Sequence, residues 1–404
     1  MRADRRASGH KRQLPGPQGI SSCAVAAAKP PLALLVASEA RRRQATERLV
    51  EELLSLPEPE RHERLGEERF QDPQVFDLLL EAGNEALPCD PLGACEILNL
   101  ATGLVSLLED RGHRGGEIEA EGYSRALCLA GTARRLLGDF RQAEGALVRA
   151  GCLPVSPLGC GYFCRALAVL RWDQGRSEEA TALLHHAQRR YGEGQDVQEE
   201  SACLGLLGML CVENFEPWRA APLLREASQG IDATRRPWLA AQCSLGLAFC
   251  HAFAGEVARA RSARELARSY YGCLSDEEEL LSRWLEGRVA ALSGDAEDAA
   301  ERLESVWRLL LGRRRLPDAT LATIDLALLW SETGRRAEID VLVEELRAGF
   351  RDEPGFTFGM SALDNMAEDA TAGRLEREQW SGLEKPLRLS FRLQGLSLLP
   401  LPFV

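Results

Sequence analysis

Gly175-Arg-Ser-Glu-Glu-Ala180-Thr-Ala-Leu-Leu184-His-His-Ala187 is one copy of a spacing that recurs along the chain. The same intervals appear in Gly138…Ala143…Leu147…Ala150 and Gly294…Ala299…Leu303, and a looser form in Gly255…Ala260…Ala267, while Gly334 marks a further copy. Successive glycines lie 37, 80, 39 and 40 residues apart, and the interval of 80 holds two units with one glycine missing. Phe215 stands at that turn, and Ala220, Leu224 and Ala227 keep the rest of the pattern. Self-similarity at a fixed period marks a stack of supersecondary units, none of which can bury its apolar face alone.

Each unit reads as two helices meeting at the glycine. The chain is rich in Ala, Leu, Glu and Arg, all strong helix formers, has only 19 prolines, and carries weak strand signals. The fold expected is all-α, a solenoid of antiparallel helix pairs. Helices approach closely along their length only where facing residues are small. Gly208 and Gly287 stand seven positions before their turns, and Ala168, Ala248 and Ala327 hold the matching place elsewhere. Leu147, Leu184, Leu224 and Leu303 then fill the space between helices, each contributing about 1.5–3 kcal/mol when buried. Ala180→Leu or Ala299→Leu should overpack its pair at a cost of about 1–3 kcal/mol, read as a lower melting temperature.

The run Gly-x-x-x-x-Ala-x-x-x-Leu-x-x-Ala, preceded in the first helix by Leu204, Leu207 and Gly208 or by Leu326 and Ala327, resembles the tetratricopeptide repeat. The resemblance covers residues 120–350 well and 73–110 poorly. The units are longer than the family's repeat of about 34 residues, and such long units resemble the arrays of bacterial regulatory and signalling proteins. The resemblance implies a right-handed superhelix whose concave face, lined by the first helix of each pair, binds peptides or partner proteins. It implies no chemistry.

A solenoid grows by adding units, so the 404 residues are read as one repeat body. Residues 1–38 are expected to be a disordered basic tail, with helical character starting near Ser38. Residues 39–117 carry N-terminal helices with one degenerate pair, opened by Asp72-Pro73 and Asp90-Pro91, whose residue types suit a helix cap and first turn. Six pairs fill 118–352, beginning near Glu119, Leu158, Glu199, Pro237, Glu277 and Pro317. Residues 353–404 hold capping helices at about Ser361–Ala372 and Leu375–Leu383, then the apolar tail Leu396–Val404, which either caps the array or serves a homodimer formed through terminal helices.

Net charge is −12, unevenly spread: residues 1–48 hold ten basic and three acidic side chains, leaving 39 basic and 58 acidic for the remainder. An acidic body repels a phosphate backbone, which argues against nucleic-acid binding by the repeats. No segment approaches the length of an apolar membrane span. The twelve cysteines show no C-x-x-C pair, and Cys128, Cys203, Cys211, Cys243 and Cys250 fall among apolar helical residues, so a reducing, cytoplasmic setting is expected. Cys160 and Cys164 lie one turn apart, but His185 and His186 belong to the next helix and no four-ligand spacing appears, so no metal and no cofactor are expected.

The glycine register puts Arg125, Thr132, Arg135, Arg165, Trp172, Met209, Glu213, Phe249, Trp284 and Arg288 on or near the inner face. Arginine and tryptophan are frequent binding hot spots, and this mix suits an extended acidic or amphipathic peptide. The tryptophans also fall at helical spacing from other apolar residues, as core residues do. Enzymatic signals are thin. Asp276-Glu-Glu-Glu279 opens a helix where acids complement the dipole, and Arg313-Arg-Arg315 closes one where cations do. His113 sits in a glycine-rich connector lacking the strand and helix of a phosphate loop. No nucleophile, base and orienting group can be assembled. The chain is therefore read as a non-enzymatic scaffold or adaptor for a protein or peptide, the alternative being a sensor or regulatory module of a bacterial transcription or signalling system.

Overall fold

The computed structural model describes residues 32–110, 120–214, 216–270, 276–350, 357–376, 379–380 and 382–393. The helices are α1 (Leu32–Ser55), α2 (Glu58–Leu65), α3 (Pro73–Ala86), α4 (Pro91–Asp110), α5 (Ala120–Leu136), α6 (Phe140–Gly151), α7 (Pro157–Asp173), α8 (Ser177–Glu193), α9 (Val197–Glu213) and α10 (Pro217–Gly230). They continue as α11 (Pro237–Phe253), α12 (Val257–Arg268), α13 (Asp276–Leu292), α14 (Ala296–Gly312), α15 (Leu316–Thr333), α16 (Arg336–Phe350), α17 (Thr357–Thr371) and α18 (Glu384–Leu393). The architecture is an all-α solenoid, with no strand among the described residues.

The turns explain the register. At Gly138 the amide of Gly138 donates to Arg135 O at 3.0 Å and that of Asp139 to Arg134 O at 2.9 Å, while Gly138 adopts φ +78°. This double closure satisfies carbonyls left open at a helix end and needs a left-handed residue, which glycine supplies without steric cost. Asp139 then caps α6 by accepting from Gln142 N. The same closure recurs at Gly175, Gly255 and Gly294. Between pairs the chain uses it with other residues: Gln195 (φ 58°) ends α8 and Arg314 (φ 55°) ends α14, two turns that a search for glycine does not find. Phe215, the expected substitute at the missing glycine, lies outside the described residues, as do His113, residues 1–31 and the tail Leu396–Val404.

Two boundaries differ from the sequence reading. The first helix is described from Leu32, ahead of the expected start near Ser38, and its opening Leu32-Ala-Leu-Leu35 consists of strong helix formers. The last described helix is α18, at Glu384–Leu393, beyond the expected Leu375–Leu383, where Gln379 and Trp380 are helical and the amide of Trp380 donates to Glu376 O at 3.1 Å.

Within pairs, close approach is built from a small residue facing a leucine sixteen positions on. A Cβ placed on Gly131, Gly208 or Gly287 would stand 2.9, 2.6 or 2.7 Å from a side-chain carbon of Leu147, Leu224 or Leu303. Those leucines are buried, as are Ala180 and Ala299. One core runs from Ala168 to Phe391, and α1–α4 enclose a second around Leu53, Phe70, Phe76, Leu79 and Leu104. The Pro91–Leu108 stretch of α4 is long and apolar enough to cross a membrane by length and composition, yet Ala94, Leu98, Ala101 and Leu104 are buried within the fold. All described cysteines are free thiols. Burial pushes those of Cys128, Cys203, Cys243 and Cys250 up to about 12, in keeping with cysteines packed as small hydrophobes.

The first helices of successive pairs touch one another, α3 to α5, α5 to α7, α9 to α11, α11 to α13, α13 to α15 and α15 to α17, whereas the second helices of the repeat pairs pack mainly against first helices. The first helices therefore form the inner, concave layer. Within the series α7 and α9 approach each other less closely than the other first helices do. Tyr191 of α8, 2% exposed, packs against Gly161 of α7 at this point. It stands seven positions past Leu184, where the equivalent positions past Leu224 and Leu303 carry the smaller Ile231 and Leu310.

Candidate ligand pocket on the concave face

Where α7 and α9 part, a pocket of about 330 Å³ opens onto the inner face. Its walls come from α5 (Arg125, Leu129, Thr132, Arg135), α7 (Tyr162, Arg165, Ala166, Val169), α9 (Glu199, Leu206), the start of α11 with the residues before it (Arg235, Arg236, Trp238), and the end of α3 with the residue after it (Asn84, Leu87). Residues 162, 165, 166 and 169 fall on one face of α7 because the helix turns by 3.6 residues. Five arginines and one glutamate give the pocket a positive field within an acidic body.

The arginines are differently engaged. Arg135 Nη1 pairs with Asp173 Oδ2 at 2.6 Å, joining α5 to α7. Arg236 Nη2 donates to Glu199 Oε1 at 2.5 Å, and Arg165 Nη2 lies 3.5 Å from Glu199 Oε2, joining α7, α9 and the start of α11. The Arg165 and Glu199 side chains are only 17% and 15% exposed. Burial opposes the charge on both, but each outweighs it for the other: Glu199 is held below the usual carboxylate range with help from Arg236, and Arg165 is held more firmly protonated. Arg165 Nε and Glu199 Oε2 nevertheless remain buried without a hydrogen-bond partner among the described residues. Arg125 is exposed, and its guanidinium and that of Arg165 lie 5.8 and 5.2 Å from the centre of the Tyr162 ring.

Of the residues the register placed on the inner face, Arg125, Thr132, Arg135 and Arg165 meet in this pocket. The others do not. Trp172, Met209, Phe249 and Trp284 are buried in the core at 5, 2, 9 and 1% exposure. Trp172 Nε1 donates to Glu213 Oε2 at 2.7 Å, a bond between α7 and α9 made inside the protein rather than offered to a partner. Trp284 Nε1 donates to Asp325 Oδ2 at 2.6 Å, and Arg288 pairs with Asp325 at 2.7 Å and Glu384 at 3.0 Å. The reason is stacking: each pair covers one flank of the first helix before it, so residues toward that flank are enclosed. Tyr162, Glu199, Arg235, Arg236 and Trp238 escaped the register. Arg235-Arg-Pro-Trp238 was a visible signal, a basic pair set against an aromatic at a helix start.

The charged clusters at helix ends are internally paired. Arg313 lies 3.7 Å from Asp276, Arg315 Nε donates to Asp318 at 3.1 Å, and Glu279 accepts from Arg283 at 2.5 Å. His186 does belong to the next helix, as the sequence reading has it, and α8 folds back along α7 and brings His186 Nδ1 to 3.3 Å from Cys164 Sγ.

No family model and no curated protein sequence matches the chain. Among solved structures, a Rap protein complexed with competence and sporulation factor is similar over 80% of this chain and 97% of its own, with TM-score 0.52 and 12% identity. The apo form of the quorum sensor NprR from B. thuringiensis is similar over 76% of this chain and 84% of its own, with TM-score 0.51 and 13% identity. NprR in complex with its cognate peptide NprX is similar over 76% and 92%, with TM-score 0.50 and 14% identity. The fold is a tetratricopeptide-like solenoid. Likeness at such identities is likeness of fold, and in this solenoid the pocket is a property of its own side chains.

Proposed function

We propose that this solenoid is a non-enzymatic, cytoplasmic adaptor or regulatory module that holds a peptide or protein on its concave face, with an acidic group of that partner seated among Arg125, Arg165 and Arg236. The observation that carries the reading is a concave-face pocket lined by five arginines against one glutamate, in which the exposed Arg125 stands beside Tyr162 and the pocket also offers Arg235 and Trp238. A guanidinium presents donors in a planar fork suited to a carboxylate. Leu129, Leu206, Tyr162 and Trp238 supply apolar contact beside the charge, as an amphipathic peptide requires.

The test is fluorescence anisotropy with three labelled amphipathic peptides of equal length, one acidic, one neutral and one basic, against the protein and its Arg125→Glu variant. Arg125 is exposed, so the variant keeps the fold. The expected result is preference for the acidic peptide, weakened at least about tenfold in the variant, or about 1.4 kcal/mol, and reduced by salt. Equal binding of all three peptides, or a preference indifferent to Arg125→Glu, would remove the reading. The regulatory form, in which occupancy alters the array, draws support from the fold shared with a quorum sensor and its peptide complex. It requires hydrogen exchange in α7–α11 to slow on binding the acidic peptide; unchanged exchange leaves a plain adaptor.

A further inference from the structure

Cys160 and Cys164 of α7 and His186 of α8 bring two sulfurs and a ring nitrogen within 4.8 Å of one another. Cys164 Sγ and His186 Nδ1 are 3.3 Å apart. We infer that these three side chains form a binding site for a soft d10 cation, Zn2+ or Cu+, that fastens α7 to α8. Cation–sulfur and cation–nitrogen bonds of about 2.3 and 2.0 Å at tetrahedral angles set S···N near ~3.5 Å and S···S near ~3.8 Å, so the side chains already stand close to ligating distance.

Thiolate and imidazole are the donor set that selects these ions over hard cations such as Mg2+ or Ca2+. The setting suits the chemistry as well. Cys160 and Cys164, four apart, share one face of α7, roughly opposite the face that carries Tyr162, Arg165 and Val169 into the pocket. Cys164 is buried while Cys160 and His186 are half-buried, which leaves the cation a way in and a fourth position open to water. Phe163, Ala187, Tyr191 and Cys203 surround the cluster with apolar atoms, and the charge of Arg190, paired with Glu193 at 2.9 Å, lies near enough to Cys160 to favour its thiolate. With Zn2+ the two thiolates make a neutral centre; with Cu+ the centre carries one negative charge that Arg190 offsets. The site is independent of the proposed peptide function and stands or falls without it.

The experiment uses the full chain, stripped of metal and kept reduced so that the thiols stay free. It is titrated with Co2+ as a spectroscopic probe, then with Zn2+ and with Cu+ against chromophoric chelators. The expected result is one equivalent of Co2+ showing the d–d bands of a tetrahedral centre and thiolate-to-metal charge transfer, displaced by Zn2+ or Cu+, with a higher melting temperature for the loaded protein. The tighter of the two competitors identifies the cation. Cys160→Ser and His186→Gln, both at half-buried positions, should each weaken binding by more than about tenfold, since even an outer-shell partner is worth that much. Circular dichroism checks that both variants are folded. Absence of a tetrahedral Co2+ spectrum would overturn the inference, leaving a thiol–imidazole hydrogen bond. So would binding of equal strength in a folded Cys160→Ser/His186→Gln double variant, because the metal would then sit on other cysteines such as the exposed Cys89 and Cys152.

Discussion

Glu199 is the residue on which the pocket's charge balance turns. Its carboxylate lies between Arg165 and Arg236, and although burial works against its charge, the two arginines hold it below the usual carboxylate range. A lowered folded-state pKa means that, as pH falls, the unfolded chain takes up the proton first. The stability from this pair is therefore complete above the ordinary carboxylate range and is lost as pH drops through the folded value. Glu199→Gln should destabilise the protein by about 3 kcal/mol at neutral pH, because it leaves Arg165 largely desolvated and unpaired. In urea denaturation the gap between wild type and variant should narrow toward about pH 3; a gap constant across that range would show that the ion pair contributes nothing. The register of the glycines was enough to find Arg125, Arg135 and Arg165. It failed at Trp172, Met209, Phe249 and Trp284 because an angle about one helix axis does not say which flank the next pair covers. It could not reach Arg235 and Arg236, which precede a helix and obey no helical period.

At the scale of helices and turns, the sequence was most legible where chemistry is forced. A left-handed turn residue, an aspartate cap and a small residue facing a leucine each leave a mark at fixed spacing. The turns at Gln195 and Arg314 left none, since they adopt the glycine conformation without glycine. A left-handed non-glycine residue carries strain of about 1–2 kcal/mol, so Gln195→Gly and Arg314→Gly should each raise stability by up to about 1 kcal/mol, seen as a higher urea midpoint. Glycine in a helix should divide in the opposite way. At Gly208 an added Cβ meets Leu224 Cγ at 2.6 Å and its backbone nitrogen at 3.2 Å, so Gly208→Ala should cost about 1–2 kcal/mol despite alanine's better helix propensity. At Gly145, exposed in α6 with nothing within 4 Å, the same change should stabilise by about 0.5–1 kcal/mol. Thermal melts that moved both variants in the same direction would contradict the account of close helix approach.

Across the whole molecule, energy is passed from neighbour to neighbour, as in any stack of repeats. At the C-terminal end Arg288 of α13 is half-buried between Asp325 of α15 and Glu384 of α18 and ties three helices together. Two carboxylates share one guanidinium, and burial together with the nearby Glu384 raises Asp325 above its ordinary range despite Arg288. Arg288→Ala should cost about 3–5 kcal/mol by stranding that charge. Hydrogen exchange should show the loss in α13–α18 first, with α5–α8 unaffected; uniform acceleration would mean that the solenoid unfolds as one unit. The sequence announced an unbroken array, and the array is there, but a change from Leu or Ile to Tyr191 is not a change of pattern, only of size, and its effect on the helices around it is invisible to periodicity. A solenoid is a spring, and its pitch is set coil by coil. Between α7 and α9 the coil is joined through side chains, Arg165 to Glu199 and Trp172 to Glu213, with Cys164 and Cys203 packed in one cluster beside them. A change in the length of those side chains would alter the spacing of the two helices, and through it the distance between the two ends of the molecule.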